Sequence, residues 1–108
     1  MWYIFPQIQG LGSTETSSFY AIKDLKEAQE FLTHPTLGNR LIHISEELLR
    51  LESNDAHQIF GSPDDLKLKS SMTLFSSAHG ADPVFNLVLK KFFNASRDGK
   101  TLKIIDPE

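Results

Sequence analysis

The sequence predicts an all-α fold: a compact multihelical single domain of about five helices over residues 1–108, with one short extended pairing. Three observations predict it. Leu37, Leu41, Ile44, Leu48 and Leu51 recur at alternating four- and three-residue steps, the spacing of a helical seam that faces one partner. Asp24 with Glu27, Ser62 with Pro63 and Asp65, and Asp82 with Pro83 are the chemistry of helix starts. Val84, Phe85, Leu87, Val88, Leu89, Phe92 and Phe93 crowd apolar surface around most of one further helix.

In chain order, residues 1–12 open on an aromatic cluster of Trp2, Tyr3 and Phe5, and Gly10 and Gly12 mark a turn. Chain starts are ordinarily polar and frayed, so three uncovered aromatics point to an upstream helix that is absent. Thr14 to Ser18 reads as polar loop, and Phe19-Tyr20-Ala21-Ile22 as the run for the extended pairing. Asp24 then caps a helix whose Leu25, Ala28, Phe31 and Leu32 share one face. It stops near His34-Pro35, because a residue before proline is driven out of the α region. The seam helix follows from about Pro35 to Leu51. A second stripe, Gly38, Ile42, Ser45 and Leu49, lies roughly 100° round its axis. Gly38 and Ser45 are small enough to let another element come close, so this helix should sit between layers. Its outer face, Arg40, His43, Glu47 and Arg50, reads as solvated.

A short helix capped by Asn54 or Asp55 runs to Phe60, with Gly61 as its C′ residue. Ser62 is expected to cap the next helix, with Pro63 at its first position, Asp65 near its third and an end at about Ala78. Leu68, Met72 and Phe75 form its core stripe. The helix from Asp82-Pro83 to about Phe93 is the most apolar, so it is expected to be the most buried, with the others packed around it. Asn94 to Lys100 reads as a turn signalled by Asp98-Gly99, after which Leu102, Ile104 and Ile105 tack the tail onto the body.

A chain of 108 residues buries only roughly 60–65% of its unfolded surface, so its packing has to be good. Its eight Phe supply that core. The net charge of −3 argues against nucleic acid as a partner, which needs a basic stripe. The absence of cysteine removes disulfides, thiolate nucleophiles and zinc ribbons, and fits a reducing compartment. No apolar run approaches the ~20 residues that span a bilayer, and Met1-Trp2-Tyr3-Ile4-Phe5 lacks a basic flank and is cut by Pro6. A soluble cytoplasmic protein is therefore expected, with no membrane partner and no cofactor.

Four sets of residues carry candidate chemistry. Asp64 and Asp65 with Lys67 and Lys69 offer a general base and an anion anchor, although capping and an Asp65–Lys69 pair explain the carboxylates without any ligand. Ser70, Thr73 and Ser77 share a face with Leu66, and Ser71 stands one turn from Lys67, the spacing of a Ser–Lys nucleophile pair or of a hydroxyl-lined pocket. The plainer reading is tight helix packing, with hydroxyls bonded back to the preceding turn. His34, His43, His57 and His79 include no metal-ligand spacing, so no metal is expected, and His34 suits a bond to a terminal helix carbonyl. Trp2, Tyr3 and Phe5 with Gln7 present flat surface and an edge contact to a base-like ligand, or simply core.

Several stretches together resemble the bacterial family of unknown function numbered 1810. They are Met1-Trp2-Tyr3-Ile4-Phe5-Pro6-Gln7 with Gly10-Leu11-Gly12, Phe19-Tyr20, His34-Pro35 with Gly38, and above all Ile59 to Leu68 continuing through Ser70-Ser71-Met72-Thr73-Leu74-Phe75. The resemblance covers nearly the whole chain. It implies a compact multihelical domain of the bacterial cytoplasm and no established activity, so no catalytic residue is carried over. Some members bear the label calpastatin, which an acidic chain without repeats gives no physical reason to accept. Members usually carry a further N-terminal helix, and by that pattern this chain is N-terminally truncated. The expected function is a binding module for a small anionic or nucleotide-like ligand, with Trp2, Gln7, Asp65, Lys67, Ser70 and Ser71 as its site. The alternative is a hydrolase or glycosidase acting on an ADP-ribose-like compound, implied by the likeness of Lys67, Met72 and Phe92 to helical proteins of NAD metabolism. A third is a protein–protein interaction domain that self-associates through its N-terminal aromatics.

Overall fold

The computed structural model describes residues 5–8, 10 and 21–106. Trp2, Tyr3, Gly12 and the run through Phe19 and Tyr20 lie outside the described residues. The described residues form six helices and no strand, which is the all-α architecture expected. The extended pairing is a single parallel bridge between Ile8 and Ile22, where the Ile22 N–H donates to the Gln7 carbonyl at 2.7 Å.

Helix α1 spans Leu25–Thr33. The Asp24 carboxylate accepts the Glu27 N–H at 2.9 Å, and the Glu27 carboxylate reaches back to the Lys23 N–H. Two of the amides that a helix start leaves without partners are thereby satisfied. Helix α2 spans Leu37–Leu49. At the α1–α2 corner a Cβ on Gly38 would stand 2.0 Å from the Leu32 carbonyl oxygen, so only glycine fits the approach that its place on the small-residue stripe predicted. His34 differs from expectation. Its Nδ1 accepts the N–H groups of Thr36 and Leu37, both at 3.1 Å, so it caps the start of α2 instead of donating to the end of α1. The end of α1 is closed by the His34 backbone N–H.

Helix α3 spans Ala56–Phe60, capped by the Asp55 carboxylate on the Gln58 N–H and ended at Gly61, whose φ is 73°. Helix α4 spans Asp64–Ser76. Ser62 does not cap it. Main-chain carbonyls have taken the amides it would serve, Gly61 receiving Asp65 N–H and Pro63 receiving Lys67 N–H, and Ser62 is left exposed. Helix α5 spans Val84–Phe93, where the Asp82 carboxylate accepts the Val84 N–H at 2.9 Å. Helix α6, Gly99–Ile105, replaces the expected turn and tail: the Asp98 carboxylate accepts both the N–H and the hydroxyl of Thr101.

The centre of the molecule is α4, not α5. Helix α4 packs against α5, α6, α3 and α1, while α2 lies between α1 and α5. Every residue of α4 from Ser70 to Phe75 is buried, whereas Leu87 of α5 is 48% exposed. Leu68, Met72, Leu74 and Phe75 are completely enclosed, and burial of side chains of this size contributes about 1.5–3 kcal/mol each. Phe75 forms the middle of a row of rings, 5.4 Å from Phe31 of α1 and 5.8 Å from Phe85 of α5 between centroids. The radius of gyration is 12.8 Å, against the roughly 13 Å of a well-packed domain of this length.

Candidate functional site

The structure brings together three of the residues singled out in the sequence. The Gln7 side-chain amide donates to the Ser70 hydroxyl at 2.6 Å, and that hydroxyl donates to the Lys67 carbonyl at 3.1 Å. Lys67 is mostly covered, with 22% of its side chain exposed, and its ammonium lies 3.7 Å from the Asp64 carboxylate. This cluster fastens the segment before the β-bridge onto α4. Ser70 is buried within it, so its hydroxyl reaches no solvent-filled space.

Ser71 is completely buried, and its hydroxyl has no hydrogen-bond partner. The Ser71–Lys67 nucleophile pair is therefore not formed, because no bond joins the hydroxyl to the ammonium. Asp65 points elsewhere. One of its oxygens accepts the Leu66 N–H, and the other lies 3.3 Å from His57 Nδ1, tying α3 to α4. Lys69, its expected partner, instead holds its ammonium 5.9 Å from the centre of the Phe93 ring. Trp2, the remaining candidate, lies outside the described residues. The hydroxyls of Thr73 and Ser77 bond to the carbonyls one turn back, and Thr73 also accepts the Asp98 N–H that starts α6. Among the described residues no group of His, Asp or Glu is clustered to hold a metal ion.

An open groove among the described residues lies on another face. A groove of about 540 Å³ is lined by Phe31 of α1 and by Leu37, Asn39, Arg40, Leu41, His43 and Ile44 of α2. That volume falls within the roughly 300–1,000 Å³ typical of small-molecule sites. The groove exists because α2 turns the line from Gly38 through Leu41 and Ser45 to Leu48 into the core, and this line runs between the two stripes of the sequence. Half of the leucine seam is thereby left out: Leu37 is 41% exposed and Ile44 only partly buried. Phe31 closes the apolar wall, backed by Phe75.

Three polar side chains line the same groove. Asn39 donates to the Pro35 carbonyl at 2.6 Å. His43 Nε2 stands 3.9 Å from the Glu47 carboxylate. Glu47 is also bonded by Arg50 at 3.0 Å, so its charge is shared. The Arg40 guanidinium has no acidic or carbonyl partner among the described residues. The sequence had assigned Arg40 and His43 to a solvated face. The signal that marks the groove is the seam itself, which is longer than the surface available to cover it.

The sequence model of a family described as "Protein of unknown function (DUF1810)" matches residues 1–105. The chain belongs to this family. A solved structure, the conserved hypothetical protein Rv1873 from Mycobacterium tuberculosis, is similar with a TM-score of 0.93 and 40% sequence identity. The match covers 96% of this chain and 74% of that one. No curated protein matches the chain. Among the described residues no helix is long and apolar enough to cross a membrane.

Proposed function

We propose that this member of the family is a binding module for a small organic anion, held in the groove between α1 and α2. The observation that supports it most is the combination in one concavity of an apolar wall, Phe31, Leu37, Leu41 and Ile44, with a guanidinium, Arg40, that is bonded to no other side chain among the described residues. Apolar lining with a few placed polar groups is the ordinary composition of a ligand site. An unpaired cation beside apolar surface gives that site a sign. The covered hydroxyls of Ser70 and Ser71 act in this reading from inside the core: Ser70 positions the chain segment around Gln7, and neither touches the ligand.

The test is thermal unfolding of the full chain against a panel of small organic acids, nucleotides and neutral aromatics, repeated with Leu37→Glu. Leu37 is partly exposed at the first position of α2, so the substitution keeps the helix and puts a carboxylate into the apolar wall. The reading expects the unfolding midpoint to rise with an acid bearing an apolar ring, and the rise to vanish in Leu37→Glu. A rise that survives the substitution, or no rise with any compound, contradicts it.

A further inference from the structure

We infer that the groove selects a monocarboxylate on an apolar, ring-sized body, anchored by Arg40, and discriminates against nucleoside phosphates; this rests on the groove being a binding site. The inference comes from the cations and donors that the groove can and cannot supply. A phosphate at a helix start is normally held by free backbone N–H groups pointing at it, aided by the helix dipole. Helix α2 begins beside the groove, yet three amides at its start are already engaged. Thr36 and Leu37 N–H both go to His34 Nδ1, and Gly38 N–H goes to the His34 carbonyl. His34 thus occupies the position that a phosphate would take.

The side chains are equally limited. Among the described residues Arg40 is the one lining group with a permanent positive charge, and His43 already faces Glu47 at 3.9 Å. Glu47 sits one turn beyond the groove and repels any second negative charge brought to that end. A guanidinium matches a carboxylate through two parallel N–H donors, so a single negative charge is met in full. The two or three further charges of a nucleotide would be left without partners, in a protein whose own net charge is −3. The apolar wall of Phe31, Leu37, Leu41 and Ile44 then takes the rest of the ligand.

The experiment is isothermal titration of the full chain with naphthoate, naphthyl phosphate and naphthalenemethanol, on the wild type and on Arg40→Gln. Arg40 is exposed and its side chain carries no bond among the described residues, so the variant should keep its unfolding midpoint. Naphthoate is expected to bind at least about tenfold more tightly than either the alcohol or the phosphate ester. Arg40→Gln should remove that advantage and leave the affinity for the alcohol unchanged. Equal or tighter binding of the phosphate ester, or an undiminished affinity for naphthoate in Arg40→Gln, overturns the carboxylate assignment. Equal binding of all three probes overturns it too, while the groove remains a binding site. If none of the probes binds, the groove reading falls with it.

Discussion

Three residues make the physical account testable by single substitutions. Ser71 keeps a buried hydroxyl with no partner, and an unsatisfied buried polar group ordinarily costs about 1–3 kcal/mol. Ser71→Ala should therefore raise stability by up to about 1 kcal/mol in denaturant unfolding, since the lost packing is one oxygen atom. A loss of stability would show that the hydroxyl has a role the packing does not reveal. His34 accepts two amides at the start of α2, so His34→Ala should cost about 1 kcal/mol, as loss of other helix caps does. His34→Asn, which also offers an acceptor, should recover most of it. Asn94 and Ala95 both adopt positive φ, 53° and 64°, where the chain leaves α5. A β-carbon in the left-handed region costs about 1–2 kcal/mol, and glycine's greater freedom when unfolded offsets part of that. Ala95→Gly is thus expected to gain roughly 0.5–1 kcal/mol, read as a shift in the denaturant midpoint.

At the scale of the element, the corner between α1 and α2 is where the structure is least forgiving. A methyl on Gly38 would meet a backbone carbonyl at 2.0 Å, and neither partner is the end of a flexible side chain. Gly38→Ala should cost about 3 kcal/mol or more and disturb the groove with it, because helix positions have to shift to relieve the clash. That corner was legible in the sequence, since Gly38 and Ser45 share a stripe of small residues. The caps at Asp24, Asp55 and Asp82 were legible for the same reason: a short carboxylate beside helix-forming residues has few other local bonds to make. The order of burial was not. Counting apolar residues favoured α5, but Ser70, Thr73 and Ser76 of α4 return their hydroxyls to carbonyls of their own helix. A polar side chain satisfied in this way can be buried at little cost, so α4 became the centre despite its composition. Helix α6 was missed because Asp98-Gly99 is a turn signal, and only Thr101 three residues on reveals that Asp98 is a cap.

For the molecule as a whole, the row of rings Phe31, Phe75 and Phe85 joins the groove to the core. A ligand that binds only the folded chain stabilises it by about 2.7 kcal/mol at a hundredfold excess over its Kd, so occupancy should be visible as a rise in the unfolding midpoint. The candidate site was only partly legible. Gln7 and Ser70 do meet, and their bond fastens the chain onto α4. Arg40 and His43 looked like ordinary surface because a groove is made by what fails to cover a seam, and no sequence pattern states the length of the covering element. The central claim is that the ligand sits between α1 and α2. The most direct measurement is a titration of the isotope-labelled full chain with naphthoate, followed by amide proton–nitrogen correlation spectra. The account predicts that the amides of Phe31, Leu37, Arg40, Leu41 and Ile44 shift together along one saturating curve, while those of Lys67, Ser70 and Ser71 stay in place. Saturating shifts confined to Gln7, Lys67, Ser70 and Ser71 would contradict it and return the site to the hydroxyl row.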